Sequence, residues 1–340
     1  MDYKEIRPLQ EGQKTACVVS YGAWGDAILV NPVLRQLKKD GFYVVLNCTE
    51  KTFEILKRDP NVDLFAVQKT NEVPVEKLDE YYKELSDLYD KFVNLNGSIE
   101  MELLKAPFQP EYYAPKEERH QLCNTNYNDH TMWKAGYPTL KGELPELFFK
   151  ENEEAWAQKL LKRKEKKFFV LVCLTGSSPH KVYPYMGEVV GTILDGIPEA
   201  EVILVGEGAL KGTLEPEPRL HDHCGEFGIR KSFLLTKHVD LVVSTETSVA
   251  MAAGCFDTPK VVMLSHGTEE NLTKYWKNCH TIVPKVSCYP CHQLHYDKTS
   301  CKLDQISKMP ICAALLHPKR VLDEVEKVYK AWKEGRRAKE

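Results

Sequence analysis

No apolar run in this chain is long enough to cross a bilayer. The longest, at 168–174 and 261–264, have the length of strands, far short of the roughly 20 residues that a spanning helix needs. The opening residues lack a basic stretch followed by an apolar one, so no secretory signal is expected and the protein is expected in the cytosol. There is little net charge: −3 over 340 residues. That near-balance disfavours broad attraction to nucleic acid or to an anionic membrane, which needs clustered lysine and arginine. The dinucleotide fingerprint GxGxxG is missing, and no acidic residue closes the second strand, which makes a dehydrogenase the least favoured reading. The GxxxxGK[ST] spacing of a P-loop is missing too, as are short-period repeats and low-complexity tracts. The 11 cysteines are odd in number, which fits reduced thiols in a reducing compartment better than a disulfide framework.

What is present is ordinary for a globular protein: 43% hydrophobic and 28% charged residues, in a chain long enough for two domains of about 150 residues each. Short apolar runs alternate with helical patterns in both halves. Strands are predicted at 15–21, 43–48, 63–68 and 91–95, with helices at 26–39 and 51–57. The region 107–147 is rich in Pro, Tyr, Asn and His and lacks clean periodicity. A charged helix over 153–167 ends in the run KRKEKK, read as a solvated helix end and linker. Strands then recur at 168–174, 200–205, 240–244 and 260–264, with helices at 184–194, 230–238, 246–255 and 318–333. This β-α-β order implies parallel sheets with helices on both faces, and ligands outside the carboxyl ends of the strands.

Three clusters carry candidate chemistry. In SYGAWGDAIL, small residues at Gly22, Ala23 and Gly25 let backbone amides approach a ligand, and Asp26 stands at the start of a helix; its plain structural reading is a helix cap. In LTGSSPHKVYP, Thr175, Gly176, Ser177 and Ser178 offer hydroxyls and amides, and Lys181 offers a point charge, as a diphosphate cradle would. A polar loop leading into a helix is the structural alternative. In STETSVAMAAGCFDTP, Glu246, Thr247 and Ser248 open a helix of small residues. Their hydroxyls and amides suit a phosphate, whereas the carboxylate of Glu246 repels one and is assigned to the sugar or ribose side.

Taken in this order, the clusters resemble the heptosyltransferases, glycosyltransferase family 9, which have a GT-B fold. The family's first-turn Gly-Asp is matched by Gly25 and Asp26, and its Ser/Thr/Gly loop with a lysine by 175–181. Its run Asp-Thr-Gly-Pro-x-His-x-Ala-Ala, followed by Gly-Thr-Pro and a strand, is matched without a gap over 246–259. Here Glu246 replaces the Asp, Ser248 the Gly, Val249 the Pro and Met251 the His. These replacements bear on the sugar more than on the class of reaction.

The resemblance implies an α/β protein of GT-B type with two Rossmann-like domains facing each other across a cleft. They are an acceptor-binding domain over 1–164, a sugar-nucleotide domain over 165–317 and a C-terminal helix over 318–340 that crosses back to the first domain. It also implies an inverting glycosyltransferase moving heptose or a related sugar from an ADP-linked donor to a saccharide hydroxyl. Asp26 is the implied general base, and Lys181 with Thr175, Thr247 and Ser248 stabilises the departing diphosphate, with no catalytic metal. Gly25, Gly176, Ser177, Glu246 and Met251 complete the donor site, and Glu207 is the candidate for the ribose, with a surface turn as its alternative.

The spacing CxxC-x9-C-x10-C at Cys288, Cys291, Cys301 and Cys312 offers four thiolates to a structural zinc or iron. His292 and His295 stand close enough in sequence to replace one of them. Some relatives, the autotransporter-modifying heptosyltransferases, resemble this chain in a late four-cysteine iron site. For the acceptor, Asn94, Asn96, Ser98 and Glu100 follow the fourth strand, and His120, Asn124, Asn126, Tyr127 and Asp129 form a second polar stretch. Each is also an ordinary turn or cap residue. Expected partners are therefore a nucleoside-diphosphate sugar, a saccharide and a second copy of the chain. Two alternatives stand beside this: transfer to protein or modified DNA, and a catalytically degenerate sugar-nucleotide-binding protein.

Overall fold

The residues TACVVS form β1 (Thr15–Ser20), and all six are buried, as expected of a strand covered on both faces. Around it lie β2 (Tyr43–Thr49), β3 (Leu64–Gln68) and β4 (Lys91–Asn94), all parallel, in the order β3-β2-β1-β4. The structure, a computed structural model, describes residues 12–69, 72–97, 99, 102–161, 166–178, 181–208, 217–295 and 301–337. Of the sequence readings, Ser98, Glu100 and residues 162–165 of the basic run lie outside the described residues.

Helix α1 (Trp24–Lys39) buries Ile28, Val30, Val33, Leu34 and Leu37, the 3.6-residue stripe that the sequence shows. Within the stripe, Asn31 donates to Asp59 at 2.8 Å and accepts from the Glu146 amide at 2.8 Å. Helix α2 (Glu50–Leu56) follows β2. Helix α3 (Leu78–Leu88), absent from the sequence reading, lays Tyr81 and Leu85 on the face of β1 and β2.

The middle region holds two helices of eight residues each, α4 (Lys116–Cys123) and α5 (Tyr127–Lys134). Eight residues are too few for stable isolated helix, so tertiary contacts must hold both, which is why no periodicity announces them. The chain divides between them: residues 1–103 and 125–148 form one compact unit, and 104–124 and 149–340 the other. The reading of one boundary at 164/165 thus differs from the packing in two places. Residues 125–148 return to α1, where Arg35 pairs with Glu143 at 2.8 Å and Glu146 at 2.7 Å. Residues 104–124 join the later chain, where Arg119 donates to the Cys291 carbonyl at 2.7 Å and Tyr112 meets His295 at 2.7 Å.

After residues 104–124, the second unit continues with α6 (Glu151–Leu161), joined to α8 (Ile229–His238) through Glu153 and Arg230 at 2.5 Å. Its six-stranded parallel sheet comprises β5 (Phe168–Cys173), β6 (Ala200–Val205), β7 (Leu220–Asp222), β8 (Leu241–Thr245), β9 (Lys260–Met263) and β10 (Cys279–Ile282), in the order β10-β9-β8-β5-β6-β7. β5, again wholly buried, lies inside the sheet. Helices α7 (Met186–Gly196), α9 (Ser248–Gly254) and the short α10 (Ile311–Ala314) precede the last helix, α11 (Pro318–Arg337). Val321, Val325 and Val328 of α11 enter the core of this same sheet, and Phe168 meets the rings of Tyr329 and Trp332 at 5.4 and 5.1 Å. The apolar face of the helix expected to cross back to the first half is therefore buried within the second unit. Among the described residues, no helix is long and apolar enough to cross a membrane.

The small residues of α9 permit close approach. A Cβ on Gly254 would stand 2.4 Å from Trp276 Cε2, and a buried indole has little room to retreat. Gly254→Ala should lower unfolding stability by about 1–3 kcal/mol through overpacking, read as a shift in denaturant midpoint at constant slope. An unchanged midpoint would show that Trp276 moves freely.

Candidate functional site

In the first unit, the turn after β1 is built around a glycine. A Cβ at Gly22 would meet the Asp26 Cβ at 2.7 Å and its Oδ2 at 2.8 Å, so only glycine lets this carboxylate fold back over the turn. Asp26 occupies the third position of α1, not the cap, which is Ala23. Its Oδ2 accepts from the Ala23 amide at 2.9 Å, satisfying one of the helix's open donors. That bond fixes the orientation of the half-buried carboxylate. At the end of β4, Asn94 accepts from the Asn96 amide at 3.0 Å, and Asn96 donates to the Tyr82 hydroxyl at 3.3 Å. Asn126 is almost fully buried and caps α5, accepting from the Asn128 amide at 3.0 Å. Asn124 belongs to the other unit, where Thr268 donates to it at 2.5 Å. Of the four asparagines read as acceptor contacts, three thus lie in the first unit and Asn124 in the second.

In the second unit, the loops after β5, β6 and β8 meet. Thr175 donates to the Glu207 carbonyl at 2.6 Å and accepts from its amide at 2.9 Å. Its hydroxyl thus ties the loops after β5 and β6 together. Gly206, at φ +110°, lies against it; a Cβ there would be 3.1 Å from Thr175 Oγ1. Glu207 contributes its backbone to this tie while its side chain is exposed.

Gly176 serves Lys181 as Gly22 serves Asp26. A Cβ at Gly176 would stand 2.6 Å from the Lys181 Cβ. Lys181 Nζ lies 3.4 Å from Ser177 Oγ, and the Lys181 carbonyl accepts from Thr245 Oγ1 at 2.6 Å. Thr247 caps α9, accepting from the Ala250 amide at 3.2 Å, and shares a hydrogen bond with Ser244 at 2.8 Å. Its side chain is thus a structural cap. Ser248 and Met251 are half-buried at the same helix.

Glu246 is 8% exposed. Ser265 donates to it from its amide at 3.0 Å and from its hydroxyl at 3.2 Å, and His266 Nδ1 lies 3.0 Å away. Burial by itself would raise its carboxyl. The imidazole of His266, the Ser265 amide and the charge of Lys181 overcome that and hold it down at about 2. Glu246 is thereby a buried carboxylate tied to the loop after β9. Ser265 and His266 were not read from the sequence; the signal available was a Ser-His pair directly after an apolar strand, at its carboxyl end.

Cys291, Cys301 and Cys312 have thiols pushed up, first by burial and then by one another and by Cys288; Cys291 reaches about 12. The four are thus within electrostatic reach of each other. Among the described residues, however, no group of three or more His, Cys, Asp or Glu is gathered to hold a metal ion. Of the neighbouring histidines, His295 is engaged by Tyr112, and His292 Nε2 meets His120 at 3.0 Å.

No family model matches the chain, and no curated protein matches it in sequence. Its fold does match solved structures. The ADP-heptose LPS heptosyltransferase II of E. coli aligns over 94% of this chain and 99% of its own, with TM-score 0.64 and 14% identity. A family 9 glycosyl transferase from Veillonella parvula aligns over 94% and 98%, with TM-score 0.63 and 14% identity. TibC from enterotoxigenic E. coli, an iron-containing dodecameric glycosyltransferase, aligns over 96% of this chain and 82% of its own, with TM-score 0.63 and 10% identity. The chain therefore has the GT-B type fold of the heptosyltransferases.

Because the folded state holds Glu246 below its ordinary value of 4.5, its contribution to stability is complete above about pH 4.5 and is lost as pH falls towards about 2. Glu246→Gln should flatten that acid limb and lower stability at pH 7 by about 1.5–3 kcal/mol. Chemical denaturation across pH 2–7 checks it; identical acid limbs in both proteins would contradict a buried Glu246 carboxylate held by hydrogen bonds.

Proposed function

We propose that this protein is a glycosyltransferase that takes a nucleoside-diphosphate sugar in its second unit and an acceptor hydroxyl in its first. The observation that carries the reading is the turn after β5, where a missing Cβ at Gly176 seats Lys181 beside Ser177. A diphosphate needs a cation and hydroxyl or amide donors in one place, and this loop gathers them. The match to heptosyltransferase folds supports the same reading, and an ADP-linked heptose or related sugar is the donor we favour.

In this reaction the acceptor oxygen attacks the anomeric carbon from the face opposite the leaving group. Its proton passes to the Asp26 carboxylate. The bond between the anomeric carbon and the phosphate oxygen breaks, the configuration inverts, and the electron pair leaves on the nucleoside diphosphate. Lys181 and Ser177 balance the charge that develops there. Gly25, the second residue of α1, adds no side chain beside Asp26, Ser248 and Met251 line the donor sugar, and Glu246 holds the surrounding loops. Asn94 and Asn96 meet the acceptor saccharide.

The four cysteines are assigned to a structural zinc or iron that braces the second unit and takes no part in the transfer. The CxxC-x9-C-x10-C spacing and the softness of four thiolates support this. Self-assembly is proposed as well, in line with dodecameric TibC.

A calorimetric panel of ADP, UDP, GDP and CMP tests the donor site. One nucleoside diphosphate should bind clearly better than the rest, and Lys181→Ala should weaken it about tenfold or more, as loss of a charge-assisted contact does. Asp26→Asn should leave that affinity intact and lower turnover by about 100-fold or more, the usual contribution of a general base. A protein that binds none of these nucleotides would instead be a degenerate scaffold. For the metal, the purified protein should carry close to one zinc or iron per chain by elemental analysis. Replacing Cys288 and Cys291 by Ser should lower both metal content and Tm; a metal-free protein with unaltered Tm in the variant would remove the site.

A further inference from the structure

The first unit contains a polar network that the packing of its sheet does not require. Side chains alternate along each strand, so the face under α3 carries Cys17 and Val19 on β1 and then Tyr21 just beyond it. It carries Val45 and Asn47 on β2, and Ala66 and Gln68 on β3. Cys17, Val19, Val45 and Ala66 belong to the apolar core with Tyr81 and Leu85 of α3. At the carboxyl ends each row turns polar. Tyr21 donates to Asn47 Oδ1 at 3.0 Å, and Asn47 and Gln68 each donate to the Tyr81 hydroxyl at 2.5 Å. Asn47 is 1% exposed. One more polar atom on this face, Thr49 Oγ1 beyond Asn47, is buried without a hydrogen-bond partner.

Apolar residues of similar shape at these positions would hold α3 to the sheet equally well, since replacing both partners of a buried hydrogen bond is often neutral. The network instead fixes Tyr21 at the sheet end where open α/β folds bind ligands. Beside it stands Tyr82 of α3, half-exposed, its ring stacked on Tyr21 at 6.4 Å and 29°. Tyr82 also receives the Asn96 amide at 3.3 Å. Both rings are partly buried against the core, and such aromatics flanked by a carboxamide suit a pyranose, which offers an apolar C–H face to a ring and hydroxyls to an amide.

We infer that Tyr21 and Tyr82 form the aromatic wall of a pyranose subsite in the first unit, with Asn96 as its amide contact. Asn47, Tyr81 and Gln68 are positioning residues that brace Tyr21. This deepens the reading that the first unit takes the saccharide acceptor, and rests on it.

The test titrates the whole protein with methyl α-D-glucopyranoside, methyl α-D-mannopyranoside and methyl α-D-galactopyranoside by saturation-transfer NMR, with ADP affinity measured alongside. At least one glycoside should bind saturably. Tyr21→Leu and Tyr82→Leu, which keep apolar volume but remove the ring, should weaken it about five- to tenfold. Tyr21→Phe keeps the ring but loses the hydroxyl bonded to Asn47, and should bind more weakly than wild type yet more tightly than Tyr21→Leu, which separates loss of bracing from loss of stacking. Equal glycoside affinity in both leucine variants overturns the inference, as does the absence of glycoside binding in a protein that binds ADP. Ring-dependent glycoside binding in a protein that binds no nucleoside diphosphate keeps the subsite and removes the transferase reading.

Discussion

Strands buried on both faces leave polar chemistry to the loops at their ends, and in open α/β sheets ligands gather at the carboxyl ends. β1 and β5 are wholly buried, each inside a parallel sheet, and both end in the same device. A glycine lacks the Cβ that would collide with a charged side chain a few residues on, so that side chain folds back over the turn. At Gly22 the residue admitted is Asp26, and at Gly176 it is Lys181. One unit thus presents a carboxylate and the other an ammonium at equivalent places in equivalent sheets. Strand burial and glycine placement together decide where charge can sit.

The remaining buried charge follows the rule that such groups must be paired. Glu246 is enclosed but meets Ser265 and His266, and Arg119 is enclosed but donates to the carbonyls of Tyr112 and Cys291. These pairs do more than satisfy desolvated groups. Arg119, Tyr112 and Lys105 fasten residues 104–124 to residues 287–295, with Lys105 accepting from Leu294 and donating to His292. A stretch from the first half of the chain thereby becomes part of the second unit and supports the loop that carries Cys288 and Cys291.

Much of the fold was legible in the sequence. The strand runs at 43–48, 168–174 and 200–205 appear within a residue or so of their predicted ends, because continuous β-branched and apolar runs bury only one way in a parallel sheet. Helix α3 was not legible: it buries only Tyr81 and Leu85, too sparse a stripe to stand out from a charged surface. The placement of Asp26 and Lys181 at the turns after β1 and β5 was legible from residue type and position. The use of each hydroxyl was not. Thr175 and Thr247 look like phosphate contacts, yet their hydroxyls tie loops and cap a helix.

By itself the sequence determined the class of the protein: alternating strands and helices, two sheets, small-residue turns after the inner strands, and the ionic groups placed on them. Periodicity and residue type are local properties, and those conclusions need nothing more. The tertiary structure alone decided which polar groups find each other across distant segments. Glu246 with His266, Tyr21 with Asn47 and Tyr81, and residues 104–124 with the cysteine loop are all pairings of this kind. A hydrogen bond depends on distances of about 3 Å, and no local pattern in a chain encodes which remote partner will stand there.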